Sequence, residues 1–270
     1  MSDSTSELTS RLLTAAVGIP ILLYLILWGP AWGFFGLVAA AAAVSVWEYC
    51  SITYSDEHTP GKVATAVLAV GLVAVLFSAR SFALEAVVGA VIAVAIFFLL
   101  SFRDRPRVSH QIASSIAALL YGGLFLGVLV VLHALPSGPL WIIMTLVTVW
   151  MSDTGAYFTG RAFGEHPLYE EVSPNKSIEG SIGGLVGSLA GAFFCNWLFA
   201  QIGDWHTLSP WIVVGLALPA NLLAQIGDLA ESLVKRAHEV DDSGSILAGH
   251  GGLLDRIDGL MFAAPWFYVC

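Results

Sequence analysis

The segment QIGDLAESLVKR, residues 225–236, sets Asp228, Glu231, Ser232 and Lys235 at i, i+3, i+4 and i+7. That spacing is one face of a helix, and Arg236 extends the stripe. Asp255 and Asp258 stand at i and i+3, and Asp153, Tyr157 and Arg161 at i, i+4 and i+8. Three helical faces thus each carry acid, two of them with a basic residue. Such carboxylates have a natural client, a divalent cation carrying phosphates. Mg²⁺ takes one or two carboxylates with phosphate oxygens and water, and Lys and Arg neutralise the remaining phosphate charge. Gly251 and Gly252 follow His250 and allow backbone N–H groups close to a phosphate; a tight turn is an equal reading of that triplet. For any one carboxylate, structural pairing with Lys or Arg weighs about as much, but the shared spacing argues for a site.

The elements that must position these residues are membrane helices. Of 270 residues, 57% are hydrophobic and 11% charged, against ~25% charged in soluble domains. A soluble globule cannot cover itself with so little polar surface. Long continuous apolar runs argue against a transmembrane barrel, which alternates. The expected fold is all-α: a polytopic integral membrane protein of about nine transmembrane helices at ~20 residues per span. Expected spans are about 11–28, 31–49, 62–79, 82–101, 111–133, 139–161, 178–202 and 209–236, with a last helix running to Cys270. About five spans form an N-terminal region, 1–137, and about four a catalytic region, 138–270. Of the 20 acids, 13 lie from residue 151 onward.

Alternate loops then face alternate sides. One side receives Arg11, Lys62, Arg103, Arg105, Arg107, Arg161, Lys176, Lys235, Arg236 and Arg256, the other Arg80 alone. This positive-inside bias places the N-terminus, and the polar helix ends, in the cytoplasm. The net charge of −9 argues against nucleic acid as a partner. Cys50, Cys195 and Cys270 lack metal-ligand spacing and read as buried thiols. Gly180, Gly184 and Ser188, with Gly183, Gly187 and Gly191, read as a close helix-packing seam. Trp32, Trp47, Trp141 and Trp205 read as interface anchors.

The segment SLVKRAHEVDDSGSILAGHGGLLDRID, Ser232 to Asp258, resembles the signature of the CDP-diacylglycerol synthase (phosphatidate cytidylyltransferase) family. Ser232, Lys235, Arg236, Asp242, His250, Gly251, Gly252, Asp255, Arg256 and Asp258 match it at the same spacing. Asp241 replaces the family's Lys, and Ala248 its Pro or Gly. The stretch Ser152 to Gly180 is similar to the family's Asp-Thr-Gly-Ala-Tyr and Ser-Pro-x-Lys segments, with Glu165 where Lys is common. Gln225 to Ser232 is similar to its Gln-x-Gly-Asp segment.

The resemblance implies an enzyme that condenses CTP with phosphatidate, giving CDP-diacylglycerol and pyrophosphate. This is the first committed step of phospholipid synthesis through CDP-diacylglycerol. It implies Mg²⁺, with K⁺ as a second cation, and Asp228 and Asp255 as metal carboxylates, with Asp258 as a third ligand or support. Lys176, Lys235, Arg236 and Arg256 are then expected on phosphates, and Ser232 on substrate. Asp153, Asn175 and Glu179 are expected to orient these cations or contact the nucleotide, and His250, Gly251 and Gly252 to shape the phosphate turn. The family often forms dimers, so a homodimer is expected, as is a cell (inner) membrane location with the site facing the cytoplasm. Two other classes remain. An ion-coupled transporter is expected to carry midplane charge and broken helices in two related halves, whereas here the polar residues crowd one half. Another CTP-dependent lipid or polyprenol transferase differs in its acceptor.

Overall fold

An apolar run in lipid must satisfy its backbone within itself, and this chain does so by forming helices between Gly-Pro breaks and polar turns. The computed structural model describes residues 16–54, 59–101, 107–202, 205–244, 246 and 251–270. Arg11, Arg103, Arg105, Ala248 and His250 lie outside the described residues. The helices are α1 (Ala16–Leu27), α2 (Ala31–Thr53), α3 (Thr59–Ser78), α4 (Ala83–Leu100), α5 (Val108–Ala118), α6 (Leu126–His133), α7 (Gly138–Phe163), α8 (Ile178–Ile202), α9 (Pro210–Ala237) and α10 (Leu254–Val269).

Among the described residues, six segments are long and apolar enough to cross a membrane: Ala31–Thr53, Thr59–Ser78, Arg80–Leu100, Val108–His133, Ile178–Ile202 and Pro210–Ala237. On α4, Leu84, Val88, Ile92, Ile96 and Leu99 are exposed. An unbroken apolar face of this kind belongs against lipid. The chain is a helical integral membrane protein.

The chain divides into two units, Met1–Val131 with Ala237–Ile257, and Leu132–Arg236 with Asp258–Cys270. In the first, Val46, Cys50 and Tyr54 pack with Ala69, Ala90, Val94, Phe98, Ala118 and Leu119. The expected helix over 111–133 is present as the segment Val108–His133 and contains a π-helical turn, Leu119–Phe125. A β-carbon at Gly122 would lie 2.7 Å from Val46, and one at Gly123 3.4 Å from Leu72. The turn therefore sits where two glycines let α2 and α3 come close.

In the second unit α8 lies along α7, and the glycine seam is the reason. Added β-carbons would meet the Gly183 carbonyl oxygen at 2.4 Å from Gly155 and the Met151 carbonyl oxygen at 2.2 Å from Gly187. The expected polar loop before Lys176 contains a two-stranded antiparallel hairpin, β1 (Pro167–Tyr169) and β2 (Ser173–Ser177). Trp205 also departs from expectation. It is buried, stacks edgewise on Trp141 at 4.7 Å, and donates its indole N–H to Asn196 Oδ1 at 2.9 Å. A satisfied, enclosed indole is part of the packing rather than an interface anchor. Cys50 and Cys195 are buried as expected, whereas Cys270 is exposed.

Candidate active site

Helix α9 carries the site's longest polar face. Asn221, Gln225, Asp228, Ser232 and Lys235 follow one another by three or four residues. Asn221, fully buried, donates from Nδ2 to Ser152 Oγ on α7 at 2.6 Å. Gln225 Nε2 donates to Asn221 Oδ1 at 2.9 Å and to the Ser181 carbonyl on α8 at 3.2 Å. The Ser181 hydroxyl donates to Gln225 Oε1. These bonds tie α7, α8 and α9 together one turn before Asp228 and fix the rotation of its helix.

Asp228 pairs with Lys176 of β2, Nζ to Oδ2 2.6 Å. The hairpin thus delivers a cation to a carboxylate that α9 holds in place. One turn on, Lys235 pairs with Glu231 at 2.8 Å, both largely buried. Helix α10 crosses α9 where Gly227 faces the Asp258 backbone and Gly259 faces Ala224. Asp258 accepts the Gly259 N–H at 2.7 Å, and the negative charges of Asp228, Glu231 and Asp153 act on it. Asp153 and Asp228 are thus near enough to act on Asp258 through space. Arg161 donates to Tyr157 at 2.9 Å, confirming the face they share on α7. Asn175 and Arg236 are exposed, and Ser232 is half-buried. Glu179 is occupied locally. Its carboxylate takes His166 Nδ1 at 2.6 Å and the Glu165 and His166 amides, so it fastens the start of the hairpin.

Asp255 belongs to the first unit, at the start of α10. Its Oδ2 accepts three bonds: the Ser243 N–H at 2.9 Å, the Ser243 hydroxyl at 2.8 Å and the Gly252 N–H at 3.1 Å. Gly251, at φ 77°, adopts a backbone that favours glycine and brings the chain into this turn. Arg256 is exposed. A residue absent from the sequence reading joins them. Glu48 of α2, 2% exposed, accepts the Leu253 N–H at 3.1 Å and the Leu254 N–H at 2.8 Å. Its signal was present as the one acid in the apolar run Ala31–Thr53. Ser152, Ser181 and Asn221 were also missed, although Asn221 continues the spacing of Asp228 backward by seven.

Among the described residues, no three His, Cys, Asp or Glu side chains converge as a ready chelate. The donor set still suits a hard cation. Asp228 already holds the Lys176 ammonium where positive charge is wanted, and its negative charge acts on both Asp153 and Asp258, offset in part at Asp153 by Lys176 and at Asp258 by the Gly259 N–H. Oxygen ligands supplying only part of a coordination sphere match an ion that retains water and phosphate oxygens.

The chain is 44% identical over 129 residues to a phosphatidate cytidylyltransferase of Staphylococcus aureus (strain COL), covering 46% of this chain and 46% of the relative. It is 45% identical over 134 residues to proteins of the same name from Brucella suis biovar 1 (strain 1330) and Brucella abortus biovar 1 (strain 9-941), covering 50% of this chain and 47% of each relative. The chain thus spans about half the length of the curated relatives it matches. The model of the cytidylyltransferase family matches residues 9–270. With nearly the whole chain inside that match, it belongs to the cytidylyltransferase family.

Proposed function

We propose that this chain is a phosphatidate cytidylyltransferase, converting CTP and phosphatidate to CDP-diacylglycerol and pyrophosphate. The observation that carries the reading is the Lys176–Asp228 pair, set in an acidic cluster on residues that also match the signature. The relatives bear the name of that activity.

In the proposed reaction a phosphatidate phosphate oxygen attacks the α-phosphorus of CTP in line. The α–β bridging bond breaks and pyrophosphate leaves with its electron pair. The nucleophile is already charged, so alignment and charge neutralisation carry most of the rate. Lys176, Lys235, Arg236 and Arg256 bind phosphates, with Ser232 and the His250-Gly251-Gly252 turn supporting them. Asp228 and Asp255 are the carboxylates offered to Mg²⁺, with Asp258 in support. Bound Mg²⁺, with K⁺ as a second cation, supplies further neutralisation of phosphate charge. Asp153 and Asn175 orient the nucleotide, and Glu179 acts through the hairpin that carries Lys176.

The proposed topology is nine spans with a cytoplasmic N-terminus, in the cell (inner) membrane, with the catalytic residues concentrated in 138–270 and facing the cytoplasm. It rests on the one-sided distribution of Lys and Arg. A homodimer belongs to the same reading.

The test is pyrophosphate release by the full chain in nanodiscs, with CTP and Mg²⁺, and either phosphatidate or a polyprenyl phosphate as acceptor. Release with phosphatidate, abolished in Asp228→Asn and Asp255→Asn, is expected. Release with the polyprenyl acceptor instead overturns the substrate. Near-wild-type turnover in either variant overturns the metal assignment.

A further inference from the structure

Glu48 lies in the last two turns of the apolar helix α2 and is almost fully buried. Burying a carboxylate costs several kcal/mol unless hydrogen bonds compensate. Among the described residues its hydrogen-bond partners are the Leu253 and Leu254 N–H groups and, at 3.4 Å, the Ser243 hydroxyl, none of them Lys or Arg. The first N–H groups of a helix have no partner within the helix, and they favour a negative charge. Glu48 is therefore a cap for α10 supplied from a distant part of the chain.

The cap bears directly on Asp255. Fixing the amides of 253 and 254 fixes the first turn of α10, and with it the direction from which the Asp255 side chain departs. Ser243 closes the other side. Its hydroxyl has one proton, and the distances assign it to Asp255 Oδ2 at 2.8 Å rather than to Glu48 at 3.4 Å. A β-carbon on Gly244 would stand 2.5 Å from Glu48 Oε1. Both limbs of the 243–255 segment thus close on one carboxylate.

We propose that Glu48 is a positioning residue for the transfer reaction: by capping α10 it sets the orientation of Asp255. The link to turnover rests on the proposed role of Asp255; the capping itself does not.

Full-length protein in phosphatidylglycerol nanodiscs tests this with Glu48→Gln, Glu48→Asp and Ser243→Ala. Three quantities are measured: hydrogen exchange along the chain, Mn²⁺ affinity by electron paramagnetic resonance, and kcat and KM with CTP and phosphatidate. Glu48→Gln is expected to speed exchange in 251–256 while leaving the α7–α8 seam unchanged. It is expected to weaken Mn²⁺ binding and lower kcat by about 10–100-fold, with KM for phosphatidate unmoved. Glu48→Asp, keeping the charge, is expected to recover part of kcat. Ser243→Ala, which removes a bond that Asp255 receives directly, is expected to repeat the kcat and Mn²⁺ losses. If Glu48→Gln does not fold, Glu48→Asp decides the matter, and wild-type exchange at 251–256 with wild-type kcat in that variant overturns the proposal. Unchanged exchange at 251–256, or local loosening with wild-type kcat and Mn²⁺ affinity, overturns the proposal. Loosening spread evenly over the chain also overturns it. If the wild type makes no CDP-diacylglycerol, the activity reading fails, and Glu48 is judged on exchange and Mn²⁺ binding alone.

Discussion

The Lys176 ammonium of β2 lies 2.6 Å from the Asp228 carboxylate of α9. The pair is partly exposed, with side-chain accessibilities of 27% and 41%, and such pairs contribute about 0.2–1 kcal/mol. The ammonium competes with any divalent cation for Asp228. It is also proposed to hold substrate phosphate once that cation is bound. Removing it therefore moves two observables in opposite directions. Lys176→Ala is expected to tighten Mn²⁺ binding by up to about fivefold and to lower turnover with CTP and phosphatidate. A titration of Mn²⁺ beside a pyrophosphate assay checks both signs, and weaker Mn²⁺ binding in the variant would contradict the competition.

Asp258 sits among like charges, with Asp228, Glu231 and Asp153 acting on it. Like-charge crowding destabilises the fold in the absence of a cation, a cost common at functional sites. Asp258→Asn is expected to raise the unfolding temperature of the metal-free protein and to lower turnover. Adding Mg²⁺ is expected to stabilise the wild type more than the variant, because the variant has less charge to neutralise. Thermal unfolding of the two proteins in detergent, with and without Mg²⁺, reads all four temperatures. A lower unfolding temperature for the metal-free variant would remove the crowding argument.

The helices were legible because each is an apolar run ended by Gly-Pro or a polar turn, a pattern local to the chain. The carboxylate faces of α7, α9 and α10 were legible for the same reason, since helical spacing follows from sequence alone. What was not legible depends on partners remote in sequence. Glu48 reads as one acid in an apolar helix until Leu253 and Leu254 are brought to it. SPNKS contains no alternating β-branched residues, and β2 forms because β1 lies against it. The π-helical turn at Leu119–Phe125 answers to the close approach of Gly122 to Val46. Trp205 looked like an interface residue because its partners, Asn196 and Trp141, lie on other elements.

The glycines of the second unit divide into those that permit contact and those that do not. A β-carbon at Gly187 would stand 2.2 Å from a backbone oxygen of Met151, whereas one at Gly215 meets nothing within 4 Å. Gly187→Ala is expected to destabilise by about 1–3 kcal/mol through overpacking of α7 on α8. Gly215→Ala is expected to stabilise slightly, by up to about 1 kcal/mol, because alanine is the better helix former. Denaturation midpoints of the two variants in the same micelle check the contrast, and a tolerated Gly187→Ala would mean that the seam can open without loss.

Gly251 and Gly252 are adjacent but constrained for different reasons, and substitution separates them. Gly251 is held at φ 77° with its nearest prospective neighbour, Asp242 Oδ1, at 3.4 Å. Alanine there meets backbone strain of about 1–2 kcal/mol and little else, and asparagine, which enters this region more readily, is expected to retain more activity than alanine. Gly252 has no such strain, yet a β-carbon on it would fall 1.9 Å from Ser243 Oγ and 2.8 Å from the Gly244 nitrogen. The Ser243 hydroxyl cannot stay on Asp255 if that space is filled. Gly252→Ala is therefore expected to cost about 1–3 kcal/mol at this turn, or roughly 5- to 150-fold in turnover if Asp255 is left misaligned. Gly252→Asn is expected to be no better than alanine, since the obstacle is volume rather than backbone angle. Pyrophosphate release by the four variants distinguishes the two causes: rescue by asparagine at 251 but not at 252 is the expected pattern, and rescue at both would place the constraint in the backbone alone.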